Sequence, residues 1–497
     1  MTSDNADGVR LTERGVQEDL QRQPHLFIRL AENALSVAES LRGNYFRNTS
    51  TFIAHLRRVI ASDVERGVAE PVLSIRDVEP TTWASVQQEV VTFIDGGVGQ
   101  VQLASQIPIL LRVGSYCVRT GERRLSEREQ FGYYPVILGD LEGGSKARKD
   151  FIDIVRITAE LLAGMSALER TPDLRVLMFH GPLVYLMGNY AGHTPFTEAD
   201  IDLFLRHYAP EPQLGLSIKE EFLQQAHLDI YPAMTPDRCD EWSRHRVFEP
   251  LAFMAFLFRR LIAMALRRTP KPLIVGVVER GALREFSETI LLERVFRRLR
   301  QRNNSDYFNK MYGRSDLSSP NALLERLGYT DSLLMALLLQ PGQFSEPWNI
   351  NKYAGLRSGF VTLSNDSTPI RVAFDKLQPG LFGFPRIRGC YLHVSETTEP
   401  LRVEIFDEFA DEQLTEILRR VLLYARLLPG YGFPIGLDIA DKYAHIPAWL
   451  TDAYGKLIRH HLSVSLQEGA VSDAEMRRML IQAIYMTHRD WLFRPDV

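Results

Sequence analysis

The segment VVTFIDGGVGQVQLAS sets an aspartate, Asp95, directly after an apolar run of Val90, Val91, Phe93 and Ile94 that reads as a buried strand. A carboxylate at the tip of a buried strand is costly unless something compensates it. A metal ion is one compensator, and Gly96 and Gly97 would let an ion or a phosphate approach the backbone closely. An Asp-Gly turn joining two strands of a hairpin accounts for the same residues with no ligand at all. A second candidate group stands in GFPIGLDIADKYAHI at 432–446. Asp441 and His445 are four apart and, on a helix, share a face from which both can approach one metal ion or phosphate. Asp438 and Asp441, three apart, can do likewise, although Asp438 also suits a helix start as cap and dipole partner.

The elements that would position these residues follow from the hydrophobic pattern. Residues 26–67 have helical spacing with few breakers. Three strand-like runs follow at 89–94, 99–105 and 108–118, with connections short enough for an antiparallel meander. A glycine-containing loop leads to a helix over 148–169, then to a strand at 174–179 that ends in His180-Gly181-Pro182-Leu183. Mostly helical sequence over 197–268 precedes a strand at 273–278 and an arginine-rich helix at 284–302. An apolar helix at 331–339, strands at 390–394 and 401–406, a helix at 411–428 and a last helical region from about 438 complete the chain. Three antiparallel strands, a helix, a fourth strand, a helix and a fifth strand form the succession of an α/β ribonuclease H-like fold. There the first and fourth strands are neighbours, which would bring Asp95 and His180 together across 85 positions.

Composition bounds the function. The 497 residues allow two to four domains. Hydrophobic content of 45% and charged content of 24% are those of a soluble globular protein. A net charge of −4 excludes a general basic coat for nucleic acid but not a local basic groove. RVFRRLRQR at 294–302 carries five arginines, and Arg259, Arg260, Arg267, Arg268 and Lys271 cluster nearby; each run reads as a solvated helix face or as a phosphate-binding stripe. Cys117, Cys239 and Cys390 are too few and too scattered for a disulfide framework or a zinc site, which points to a reducing cytoplasm. The polar N-terminus lacks a signal-peptide core, and LAFMAFLF at 251–258 is cut off by Arg259-Arg260 before it could span a membrane.

An ordered set of segments resembles the NurA nucleases, partners of the hexameric HerA translocase. FIDGG at 93–97 is similar to the family's first motif, and LMFHGPLV at 177–184 to its second, a strand ending in Asp-Gly-Pro-Leu. LIVGVVER at 273–280, ALLLQPGQFSEPW at 336–348, CYLHV at 390–394 and the 432–446 segment follow in the family's order. The resemblance implies a ribonuclease H-like core over 86–450, with mostly helical insertions near 195–270 and 303–380, flanked by helical regions at 1–85 and 451–497. It implies DNA cleavage dependent on Mn²⁺, or Mg²⁺ in its place, by a homodimer acting with a HerA-type ATPase in DNA end processing or anti-phage defence.

The resemblance assigns Asp95, Glu160, His180 and Asp441 as metal ligands, and Tyr391 and His445 as further catalytic residues. Hard ions need converging carboxylates, because a pair of them must both activate water and steady the leaving oxygen. The helical wheel objects to Glu160. It sets that residue opposite the stripe of Phe151, Ile154, Val155, Leu162 and Met165, so Glu169 stands in reserve. His180 departs from the family's aspartate. Imidazole binds Mn²⁺ but is a poor ligand for Mg²⁺ and brings no negative charge. His180 is thus a substituted ligand or a residue that merely ends a strand, and a catalytically degenerate NurA-like scaffold that regulates the ATPase ring is the competing reading. A related enzyme acting on RNA or a junction is a third, since fold does not fix substrate. Tyr391 has its own bland explanation, a strand tyrosine with a satisfied hydroxyl.

Overall fold

The strand that carries Asp95 does not end at it. Val90–Gln100 is one continuous strand, and every residue of it pairs antiparallel with Ile109–Arg119, Asp95 opposite Gly114 and Gly97 opposite Arg112. No turn therefore stands at Asp95-Gly96-Gly97, and the 89–94 run and the start of the 99–105 run share this one strand, residues 102–105 lying outside the described residues. The glycines that suggest a turn serve instead to let a helix lie on the sheet. The third meander strand is Glu129–Leu138, beyond the expected 108–118 run.

The computed structural model describes residues 22, 24–101, 109–124, 126, 129–138, 145–183, 250–350, 360–365, 368–373, 385–467 and 473–485. Most of the 195–270 insertion, Cys239 and Val184 of the second motif lie outside them. In chain order the elements are α1 (Pro24–Ser40), α2 (Arg47–Glu65), β1 (Ile75–Asp77), β2 (Val90–Gln100), β3 (Ile109–Arg119), β4 (Glu129–Leu138), α3 (Ser145–Arg170), β5 (Leu174–His180), α4 (Pro250–Leu266) and β6 (Leu273–Val278). There follow α5 (Glu293–Gln301), α6 (Tyr307–Tyr312), α7 (Pro320–Leu327), α8 (Asp331–Leu338), β7 (Gln343–Ser345), β8 (Trp348–Asn349), β9 (Phe360–Asn365), β10 (Thr368–Ala373), β11 (Ile387–Leu392) and β12 (Leu401–Phe406). The chain closes with α9 (Asp407–Ala425), α10 (Ile435–Ala444), α11 (Ala448–Gln467) and α12 (Ala474–Tyr485). Short π-helical turns at Leu41–Phe46 and Ser287–Leu292 join α1 to α2 and lead into α5. No described helix is long and apolar enough to cross a membrane.

The chain packs as two units, one ending at Ser74 and resuming at Phe286–Thr330, the other made of Ile75–Glu285 and Asp331 onward. The linear partition at residue 85 is cut across by this division. The smaller unit is helical. Its core joins Phe52 of α2 to Phe308 of α6, ring centroids 5.9 Å apart, and Phe308 to Phe296 of α5 at 5.2 Å. Helix α7 shows how local sequence sets its ends. Ser319 caps it by accepting the Ala322 N–H at 3.3 Å, Pro320 opens it, and Gly328 closes it at φ 69°.

The larger unit is a mixed α/β sheet in the order β1-β7-β11-β12-β6-β5-β2-β3-β4, with β8 beside β11 and β9–β10 as a separate hairpin. Strands β2, β5 and β6 run parallel, whereas β3 and β12 run antiparallel to their neighbours. Strand β6 is buried along its whole length, as a strand covered on both faces must be. Helices α3 and α10 cover the two faces around β2. Successive strand residues point to opposite sides. A side chain at Gly96 would overlap Glu160 of α3, while one at Gly97 would overlap the Ala444 carbonyl of α10. Gly114 of β3 likewise faces the α10 backbone and Gly99 faces Ile446 just beyond it, so Gly97 and Gly114 let that helix sit directly on β2 and β3.

Candidate metal centre

Parallel pairing of β2 with β5 brings Ile94 opposite Phe179, so Asp95 and His180 emerge side by side where the strands end their pairing. His180 Nδ1 lies 2.9 Å from Asp95 Oδ2, and Asp95 Oδ1 accepts the Gly96 N–H at 2.8 Å. Helix α10, held close by the glycine faces, delivers Asp441 to the same point. Ligand atoms of Asp95, His180 and Asp441 all lie within 4.8 Å of one another, the one such cluster among the described residues. Asp95 is 6% exposed, His180 is half-buried against the Phe433 ring at 5.3 Å, and Asp441 opens to solvent.

Glu160 is not on a solvated face. It is 3% exposed, because α3 packs against β2, β3 and β5 on one side and α4 on another and is buried from Ile157 to Leu168. The single stripe used for the helical wheel misses the second covered face. Glu160 lies on the side of β2 opposite Asp441, in the space left by Gly96, with Arg156 Nη1 2.5 Å from its Oε1. It thus neighbours the Asp95 cluster without sharing its ligand point. Glu169 is half-buried near the far end of α3.

Electrostatics tie these groups together. Burial pushes the Glu160 carboxyl up to about 7, with Arg156 opposing and Asp95 reinforcing the rise. Burial also raises Asp441, helped by the charge and hydrogen bond of Asp95 and resisted by His180. Burial works to lower His180, but Asp95, Asp441 and Glu160 outweigh it and hold the imidazole above its ordinary value. The charge of Asp95 thus raises both Glu160 and Asp441, as a carboxylate does to acids gathered beside it. A divalent cation fits such a donor set of two carboxylates and one imidazole.

The other expected residues stand apart. His445 is exposed at the end of α10, where its N–H donates to the Asp441 carbonyl at 2.7 Å and its own carbonyl accepts from Arg112. Asp438 is not the helix cap, a place taken by Pro434. It lies in the first turn and accepts the Tyr431 hydroxyl. Tyr391 is 0% exposed on β11, stacked on Trp348 at 5.3 Å with its hydroxyl donating to Asp331 at 3.2 Å. Four strand spacings separate β11 from β2, roughly 19 Å, so Tyr391 does not meet the cluster.

Glu404 is the residue that sequence reasoning passed over. It is 0% exposed on β12, where Oε2 accepts the Leu183 N–H at 2.9 Å and Oε1 accepts Arg402 Nε at 2.8 Å. It therefore grips the turn that follows His180. Gly181 bends that turn at φ 99°, and Gly276 leaves it room: a Cβ there would sit 2.8 Å from Leu183 Cγ. A lone glutamate inside the apolar strand LRVEIF is the signal that could have flagged it.

Comparison with known proteins adds family information. The NurA domain matches residues 89–446. Among solved structures, the NurA nuclease from Sulfolobus solfataricus is 12% identical, with a TM-score of 0.47, over 86% of this chain and 98% of its own. A NurA structure with manganese is 11% identical (TM-score 0.40, 86% and 96% covered), and NurA bound to dAMP and manganese is 13% identical (TM-score 0.33, 80% and 92% covered). Among curated proteins no relative matches. The sequence match spans most of the chain and includes Asp95, His180 and Asp441, and by it the chain belongs to the NurA domain family.

Proposed function

We propose that this protein is a metal-dependent nuclease that hydrolyses DNA phosphodiester bonds on a ribonuclease H-like core, with Mn²⁺ as its ion. The convergence of Asp95, His180 and Asp441 from β2, β5 and α10 carries the reading. Family membership and the succession β2-β3-β4-α3-β5-α4-β6 support it. A bound divalent ion would hold the scissile phosphate and lower the pKa of an attacking water. Asp95 and Asp441 supply negative charge to hold the ion. His180 supplies a nitrogen: with Nδ1 donating to Asp95, the neutral ring keeps Nε2 as an acceptor. An imidazole in the set favours Mn²⁺ over Mg²⁺. Glu160, held by Arg156 behind Gly96, is a positioning residue for that stretch of β2, and Glu404 holds the turn that aims His180. His445, exposed one turn past Asp441, is assigned to contact with the DNA phosphate. No catalytic contact is assigned to Tyr391, so Tyr391→Phe is expected to cut like wild type.

In this reading the chain works as a homodimer with a HerA-type hexameric ATPase, in DNA end processing or anti-phage defence. The test is cleavage of linear and single-stranded DNA in Mn²⁺, with and without such an ATPase. Wild-type cleavage that disappears in Asp95→Ala is expected, whereas intact DNA in every arm refutes the reading. One observation favours a second one. The His180–Asp95 hydrogen bond satisfies both groups without an ion, as a degenerate scaffold subunit for the ring would require. His180→Asp separates the two: a large gain of cleavage from a silent parent supports the scaffold, and unchanged or reduced cleavage supports a working histidine.

A further inference from the structure

The arginine-rich helix is not a plain solvated face. In the smaller unit, Arg294, Arg297, Arg298 and Arg302 along α5 line a half-open cavity of about 630 Å³ together with His55, Arg58 and Arg66 of α2 and its end. Six arginines there meet two carboxylates, Asp63 and Glu70. Those acids already have work. Asp63 pairs with Arg298 and accepts the Val72 N–H at 2.7 Å, while Glu70 lies 3.4 Å from Arg297. Arg298 also donates to the Glu70 carbonyl at 2.8 Å and Arg294 to the Pro71 carbonyl at 3.1 Å, which fixes both guanidinium groups in place. Arg58, Arg66 and Arg302 are exposed and have no carboxylate partner among the described residues. Burial and the nearby charge of Arg58 both lower the pKa of His55, as expected beside uncompensated positive charge.

Gathering like charges in a recess costs stability unless an anion shares it. The arrangement indicates which anion. Arg294, Arg298 and Arg302 recur every four residues, about 6 Å along the helix, and Arg58 and Arg66 form a second row on α2. Rows of evenly spaced, planar donors suit a polymer of phosphates better than a single ion or the flexible carboxylates of a peptide. His55, braced by Tyr307 at 4.7 Å between ring centroids, adds an aromatic beside the cations, the pairing that single-stranded nucleic acid uses. A recess of this volume is in the range that holds one small molecule, room for a short stretch of a single strand.

We propose that the groove between α2 and α5 is a second nucleic-acid site that holds the phosphodiester backbone of single-stranded DNA, apart from the metal centre. It rests on the nuclease reading only for the choice of DNA. The test is anisotropy of a labelled, mixed-sequence single-stranded oligonucleotide with the full chain in EDTA, over a series of salt concentrations. The triple variant Arg58→Glu, Arg66→Glu, Arg302→Glu is expected to bind at least about tenfold more weakly, with a log–log salt slope shallower by about 2. All three arginines are exposed, so the thermal midpoint should hold; if the reversals unfold the protein, Arg58→Gln with Arg302→Gln is measured in the same way. Unchanged binding by the charge variants overturns the proposal, as does displacement of the DNA by inorganic phosphate or by polyglutamate at matched charge. Cleavage without groove-dependent binding overturns this site and spares the nuclease; groove-dependent binding without cleavage in Mn²⁺ does the reverse.

Discussion

Both oxygens of Asp95 are engaged by the protein itself, one by the Gly96 N–H and one by His180, so its carboxylate is aimed before a substrate binds. Aiming has an electrostatic cost. Asp441 stands close enough to hydrogen-bond with Asp95, and burial together with that charge raises its pKa. Removing one charge from such a cluster relieves repulsion, while removing it from a cation site weakens the site. Asp441→Asn should therefore leave metal-free stability unchanged or raise it by up to about 1 kcal/mol, and lower Mn²⁺ affinity at least about tenfold. Thermal unfolding in EDTA and calorimetric Mn²⁺ titration measure the two sides. A variant that loses stability and keeps its manganese affinity would make Asp441 a structural aspartate.

The elements reach the site through glycine and through one buried acid. Helix α10 can bring Asp441 to Asp95 only because Gly97 and Gly114 present no side chain to its backbone. Gly97→Ala should cost about 1–3 kcal/mol and weaken Mn²⁺ binding as α10 is pushed outward. Gly43→Ala, at a position with open space, should cost nothing of the kind; equal effects of the two in urea titrations would count against the close approach. On the other side of the site, Glu404→Ala strips a buried acceptor from Leu183 and Arg402 and should destabilise by about 3–5 kcal/mol. Much of this was legible in the sequence, and the exceptions share a cause. Strands β5, β6 and β12 and helices α3 and α8 fall where periodicity puts them, and the pairing of Asp95 with His180 follows from their order. Asp-Gly-Gly reads as a turn because glycine marks both turns and close approach, and only the partner helix, 340 positions on, tells them apart. Glu160 misleads because one helical wheel cannot show a second buried face.

At the scale of the whole molecule, Asp95, His180 and Asp441 belong to one compact unit, and the arginine groove lies in the other. The smaller unit is closed by Phe286–Thr330, which returns to it from more than two hundred residues downstream, and no local pattern announces that return. This division sets what an ion can do. A ligand that binds the folded state alone adds stability by mass action, roughly 2.7 kcal/mol at a hundredfold excess over Kd, and it adds it to the segments that must be folded to bind. Those segments are the middle of β2, the end of β5 with the Gly181 turn, and α10. Mn²⁺ should therefore slow amide exchange in these three stretches, while α2 and α5 exchange as before. Single-stranded DNA in EDTA should do the converse, protecting the ends of α2 and α5 and leaving the β2–α10 contact unchanged. Hydrogen exchange read by mass spectrometry, with each ligand alone, separates the two patterns. Manganese protection that appears nowhere would remove the metal centre; protection spread evenly over both units would mean that they open as a single cooperative body.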